Sequence, residues 1–160
     1  MKAEEIKILL EESFPGKPFE LVENATPQGI TVPAESLVEV MNFLHTHEQL
    51  YFDMLSCITG LDNGPEAGTM EVIYNLYSIP KDLQLMIKVV LPREDLKVDS
   101  LVEIWKTADW QEREVYDMFG IQFNNHPDLR RILMPADWEG FPLRKDYEEQ
   151  TYYRGMKVKY

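Results

Sequence analysis

With Cys57 as its one cysteine, this chain can form no intramolecular disulfide and lacks the thiolates for a cysteine-built zinc site or iron–sulfur cluster. A reducing compartment is the expected home. No apolar run approaches the roughly 20 residues that span a bilayer, so membrane contact is expected only through other proteins. Met1 leads into an acidic amphipathic run, not a basic and then apolar one, and no signal peptide is expected. Positive charge is scarce too: 16 Lys and Arg stand against 28 Asp and Glu, a formal net charge of −12. Nucleic acid is therefore a poor partner, since phosphate contacts supply most of that affinity, and so is anionic lipid. Also missing are GxGxxG, a P-loop and a GxSxG elbow; Gly60, Gly64 and Gly68 have the wrong spacing to cradle phosphate. The three histidines, His45, His47 and His126, fit no zinc or calcium pattern.

What is present suits one folded domain: 160 residues, 44% apolar and 28% charged. Helical periodicity predicts an amphipathic helix over Ala3–Phe14, and a second from Pro33 to about His45 with Leu37, Val40, Met41 and Leu44 inward. Between them, Phe19–Val22 and Gly29–Val32 read as a hairpin with a long loop. Three strands follow, Phe52–Gly60, Met70–Ile79 and Leu83–Leu91. Cys57 is expected as a small core residue in the first of them. Short connections favour antiparallel pairing. Ser100–Lys106 can open a short helix with Ser100 and Glu103 in capping-box spacing. Asp109 and Glu112 repeat that spacing ahead of a helix over Trp110–Phe119 that stops at Gly120. Pro127, Pro135 and Pro142 then deny the chain a long helix or central strand. The expectation is a single α+β domain with a mostly antiparallel or mixed sheet and helices on one side. It divides into an α+β body over residues 1–125 and an extended C-terminal docking tail over 126–160 that is not a separate domain.

Charge is unevenly shared. Residues 1–125 hold 9 basic and 22 acidic side chains, whereas residues 126–160 hold 7 and 6, an asymmetry that often marks a partner-facing segment. Asp109–Tyr147 concentrates the chemistry: a short acidic and aromatic helix, then a tail with His126, Arg130, Arg131, Arg144 and Lys145. At about 100° per residue, Val115, Tyr116, Met118 and Phe119 share one face with Glu112. Arg113, Glu114 and Asp117 fall on the other, where Arg113 and Asp117 are in i,i+4 register. A carboxylate in an apolar stripe needs a partner or a proton. The favoured reading is that Glu112 pins the tail to the helix through an arginine, since planar, bidentate Arg recurs there. The rival is a general acid or base working with His126, which requires the two to converge in an open cleft with no arginine between them. Trp105, Trp110 and Trp138 are expected as core or interface anchors.

The run Glu112-Arg113-Glu114-Val115-Tyr116-Asp117-Met118-Phe119-Gly120-Ile121 is continued by His126-Pro127-Asp128-Leu129-Arg130-Arg131-Ile132-Leu133-Met134-Pro135. Gly140-Phe141-Pro142-Leu143-Arg144-Lys145-Asp146-Tyr147 closes it. This pattern closely resembles the thirty-kilodalton subunit family of respiratory complex I, known as the C subunit in bacterial NADH:quinone oxidoreductase and the J subunit in the chloroplast NDH complex. The likeness extends more loosely back to about residue 50. It implies a non-catalytic scaffold subunit of the peripheral arm of a proton-translocating NADH:quinone oxidoreductase, with no catalytic residue, metal or cofactor of its own. The complex as a whole would use FMN, iron–sulfur clusters and quinone. The implied partners are the forty-nine-kilodalton D subunit and other peripheral-arm subunits, at the cytoplasmic side of the cell inner membrane. The motif residues Glu112, Arg113, Glu114, Tyr116, Asp117, His126, Pro127, Arg130, Arg131, Pro142, Arg144, Lys145 and Tyr147 would serve that interface. Related subunits occur in energy-converting hydrogenases and F420H2 dehydrogenases.

Overall fold

Alternating apolar residues in three long strands decide the architecture. In the computed structural model, which describes residues 1–159, these are β3 (Met54–Asp62), β4 (Thr69–Ser78) and β5 (Leu83–Pro92). β3 pairs antiparallel with β4, and β4 with β5, so that Ile58, Tyr74 and Ile87 lie side by side, as do Gly60, Val72 and Val89. These six are buried on one face of the sheet. β1 (Glu20–Val22) and β2 (Gly29–Thr31) form the expected hairpin, and β2 joins β5 in parallel, giving the mixed order β1-β2-β5-β4-β3. The helices α1 (Ala3–Ser13), α2 (Leu37–Thr46) and α3 (Ala108–Phe119) bring their buried residues to one core cluster with that face. The α2 stripe is the expected one, Leu37, Val40, Met41 and Leu44, although a 3-10 turn over Ala34–Ser36 precedes the helix. No helix among the described residues is long and apolar enough to cross a membrane.

Several local expectations are corrected. A β-bulge between Leu55 and Cys57 resets the alternation of β3, so Leu55 and Ile58 face the core and Cys57 is exposed. Ser100–Lys106 forms turns, not a helix; the Ser100 hydroxyl accepts the Val102 N–H at 3.3 Å in a local turn while donating to Glu112. α3 starts at Ala108 with no side-chain cap from Thr107, so the capping box expected of Asp109 and Glu112 does not form. It ends where expected, at Gly120, whose φ of +76° suits glycine and whose N–H bonds the Tyr116 carbonyl at 2.8 Å. A side chain there would also strike Arg144 and Phe141.

Two short strands frame α3. β6 (Lys97–Asp99) and β7 (Gln122–Asn124) pair in parallel, and the Ser100 N–H extends the ladder to the Asn124 carbonyl. Parallel strands deliver the chain in the same direction, so Ser100 and Leu101 after β6 and His126 after β7 all arrive against α3. From His126 the tail is loop-rich, as the prolines predict, until a hairpin of β8 (Tyr152–Tyr153) and β9 (Met156–Lys157) that sequence reasoning missed.

Candidate functional site

Glu112 is fully buried on the core side of α3. Its Oε2 accepts the Ser100 hydroxyl at 2.6 Å and its Oε1 accepts the Leu101 N–H at 2.7 Å. No arginine reaches it, which corrects the expectation of an arginine pin: the loop after β6 fills the place reserved for one. His126 comes within ion-pair distance, its Nε2 3.9 Å from Oε2. The His126 Nδ1 accepts the Asp128 N–H at 3.0 Å, which leaves Nε2 as donor to the Asp109 carbonyl at 3.0 Å, with Asp109 Oδ1 3.2 Å away. Burial drives the Glu112 carboxyl up to about 7; the Leu101 and Ser100 bonds oppose this, and the Asp109 charge adds to it. Beside it lies the fully buried Tyr74, whose hydroxyl has no hydrogen-bond partner among the described residues. Glu112 and His126 thus converge without an arginine, but the side chains of both are fully buried and no open cleft reaches them. Geometry for acid–base work on a substrate is therefore lacking.

The arginine meets a different carboxylate. Asp117, placed by the helical wheel on the outer face, is fully buried, because the tail covers that face as the sheet covers the opposite one. Its Oδ2 accepts three successive backbone N–H groups, Ile132 at 3.0 Å, Leu133 at 2.7 Å and Met134 at 2.9 Å. Its Oδ1 takes Arg131 Nη1 at 2.7 Å. Burial raises this carboxyl, but the Met134 N–H, Arg131 and the Leu133 and Ile132 N–H groups outweigh it and hold it below its ordinary value. Arg131 also reaches the Trp138 and Gly140 carbonyls, so one ion pair organises ten residues of tail. Arg113, expected beside Asp117, instead donates to the Arg130 and Arg131 carbonyls at 3.1 and 3.3 Å.

A second carboxylate holds the tail further along. Asp62, at the end of β3, accepts the Gly64 N–H in an Asx turn and the Lys145 N–H, both at 2.8 Å, and pairs with Arg93, which also binds Asp146. Burial raises Asp62 too, yet the Lys145 and Gly64 N–H groups and Arg93 bring it below its ordinary value. Sequence reasoning missed Asp62 and Arg93, although Asp62-Asn63-Gly64 is a turn signal whose carboxylate has a predictable first bond.

Of the other motif residues, Tyr116 packs edge-on to Phe141, and Tyr147 accepts the Trp138 indole N–H at 3.1 Å. Pro142 is half-buried in the tail, and Glu114, Pro127 and the Lys145 side chain are exposed. Arg130 reaches only the neighbouring Asp128. The tryptophans do not cluster: Trp105 is core, donating to the Phe52 carbonyl, whereas Trp110 is 70% exposed. The site is thus a tail clamped to α3 and β3 by two buried carboxylates, with Trp110, Leu133 and Leu143 left exposed.

Comparison with known proteins agrees with this geometry. Residues 30–153 match the model of the respiratory-chain NADH dehydrogenase 30 kDa subunit family. The NADH-quinone oxidoreductase C subunit of Chloroherpeton thalassium is 44% identical over 93% of this chain and 58% of its own length. That of Geobacter sulfurreducens is 43% identical over 89% of this chain and 88% of its own. The solved trypsin-resistant fragment of Nqo5 superimposes with a TM-score of 0.63 at 31% identity, covering 78% of this chain and 98% of the fragment. A chain of an archaeal membrane-bound sulfane sulfur reductase shares the fold, with a TM-score of 0.73 at 24% identity over 91% of this chain and 85% of that one. From residue 30 through the clamped tail, the chain belongs to the respiratory-chain NADH dehydrogenase 30 kDa subunit family.

Proposed function

We propose that this chain is a non-catalytic scaffold subunit in the peripheral arm of a proton-translocating NADH:quinone oxidoreductase. It packs against the D-type subunit through the face that carries the clamped tail and supports the quinone-reduction module. The observation that carries this reading is the tail itself. Asp117 and Asp62 fix residues 131–134 and 145 to the body, so the outward side chains are ordered before any partner arrives. Preorganisation of that kind lowers the cost of association. Exposed Leu133, Leu143 and Trp110 supply apolar area, and the surrounding charge supplies a polar rim. The relatives in Chloroherpeton and Geobacter are NADH-quinone oxidoreductase subunits, which favours that complex over a hydrogenase or an F420H2 dehydrogenase. FMN, iron–sulfur clusters and quinone then belong to other subunits, and the chain stays at the cytoplasmic side of the inner membrane through its neighbours.

The test is an affinity pull-down of the tagged chain from native membranes, with partners identified by mass. Recovery of a D-type subunit in one-to-one ratio is expected. Recovery without it, or a flavin or cluster absorbance in the isolated pure chain, overturns the proposal.

A further inference from the structure

Three of the guanidinium groups around the tail are engaged: Arg93 with Asp62 and Asp146, Arg131 with Asp117, and Arg113 with two backbone carbonyls. Arg144 differs. Its Nε donates to the Phe119 carbonyl at the end of α3 at 2.6 Å, and its guanidinium stacks over Phe141 with 4.5 Å from Cζ to the ring centroid. No carboxylate among the described residues lies within ion-pair distance, and neither Nη has an acceptor among them. The group borders an open polar cleft of about 340 Å³, walled by Tyr116, Gly120, Phe141, Arg93 and the Glu94–Lys97 segment. Partial burial and the nearby Arg93 charge lower the Arg144 pKa, and the Asp146 and Asp62 charges oppose them.

From this geometry we infer that Arg144 is a preformed socket for one carboxylate side chain of the partner subunit, received bidentately by the two free Nη groups. The inference rests on the scaffold reading and deepens it by naming where a negative charge must enter. Stacking and the Nε bond fix the fork in advance, so little rotamer entropy is lost when an acid arrives. A free small anion fits less well, because Glu94 and Asp95 share the rim. A carboxylate carried on a docked surface gains from its high effective concentration. The simpler role for Arg144 is a cation at the negative end of α3, and a lysine could fill that role. The fork it could not replace.

The experiment uses Arg144→Lys and Arg144→Gln, each tagged and expressed in cells lacking the native copy. Partners retained per chain are counted by mass as salt is raised, and isolated chains are melted in parallel. The expected result is a melting temperature for Arg144→Lys within a few degrees of wild type, with partner affinity down at least about tenfold, and a further loss for Arg144→Gln. Wild-type retention by both variants overturns the socket, as does binding of inorganic phosphate to the isolated chain that is tight enough to compete with assembly. A wild-type partner other than a D-type subunit sinks the scaffold reading alone, since the arginine dependence is still scored on that partner. A variant that loses its partner only because the isolated chain has melted also counts against the socket.

Discussion

Replacing Glu112 by glutamine tests whether a buried, half-protonated carboxyl sits under the tail. The folded-state value of about 7 stands against an ordinary 4.5. At roughly 1.4 kcal/mol per unit, the folded chain loses about 3 kcal/mol of stability as this group ionises. The sign follows from proton binding: between these values the folded state holds a proton that the unfolded state has released. Stability is therefore greatest below the ordinary value and falls as pH rises through about 7. Glutamine mimics the protonated form, accepting the Leu101 N–H and donating to the Ser100 hydroxyl, without a charge at any pH. The two proteins should be nearly equally stable at about pH 4, and Glu112→Gln more stable by up to about 3 kcal/mol at about pH 8.5. All other side chains are common to both, so the difference isolates Glu112. Urea unfolding followed by tryptophan fluorescence across that range reads it directly. A difference that does not change with pH, or a glutamine variant that is the less stable at high pH, refutes the reasoning.

Asp117→Ala should cost about 3–5 kcal/mol, because it strands the Arg131 charge and three backbone N–H groups together. Hydrogen exchange at Ile132–Met134 should rise with it. The native Asp117 carboxyl is held low, so its contribution is present at neutral pH and is lost as pH falls below the ordinary carboxylate range, the opposite direction from Glu112. Tyr74→Phe removes a buried hydroxyl that has no hydrogen-bond partner among the described residues, and thermal melts should show it neutral or stabilising by up to about 1 kcal/mol; a loss above about 1 kcal/mol overturns that. The β8–β9 hairpin leans on exposed Asp137 through Tyr153 and Arg154, contacts that solvent screens. Its amides should exchange much faster than those of residues 131–134, and Asp137→Ala should leave the melting temperature unchanged.

The sheet was legible because every second residue of β4 from Met70 to Leu76 and of β5 from Leu83 to Leu91 is apolar, and the α2 stripe because four apolar residues recur at helical spacing. The bulge in β3 was not, since one inserted residue leaves no local trace and moves Cys57 from the core to the surface. Glu112 could be marked as buried from periodicity, but its partners could not. They come from a loop 11 and 12 residues upstream that sequence spacing read as a helix. Asp117 was misplaced for a related reason: a helical wheel recognises one buried face, and α3 has a second, covered by chain that follows it. The pair that does form, Arg131 with Asp117, spans 14 residues and depends on how a proline-broken segment returns, which no periodicity encodes.

That return bears on how the tail acts. An extended, basic and aromatic segment could wait disordered for its partner and lose its conformational entropy on binding. Here a carboxylate from α3 binds three amides in a row and another from β3 binds a fourth, so most of that entropy is lost during folding. The division at residue 126 is then a change of secondary structure, not of foldedness, as far as Tyr147. Among the described residues, Arg131 is the one Lys or Arg side chain of the tail that pairs with a carboxylate of the body, Asp117, and Arg154 pairs within the tail, with Asp137. Arg130 is left with a local acid, and Arg144 with none among the described residues. With 7 basic and 6 acidic side chains the tail is nearly neutral as a whole, so a partner surface gains little from matching its net charge. One that offered apolar contacts to Leu133 and Leu143, and a single acid to Arg144, would find all three already in place.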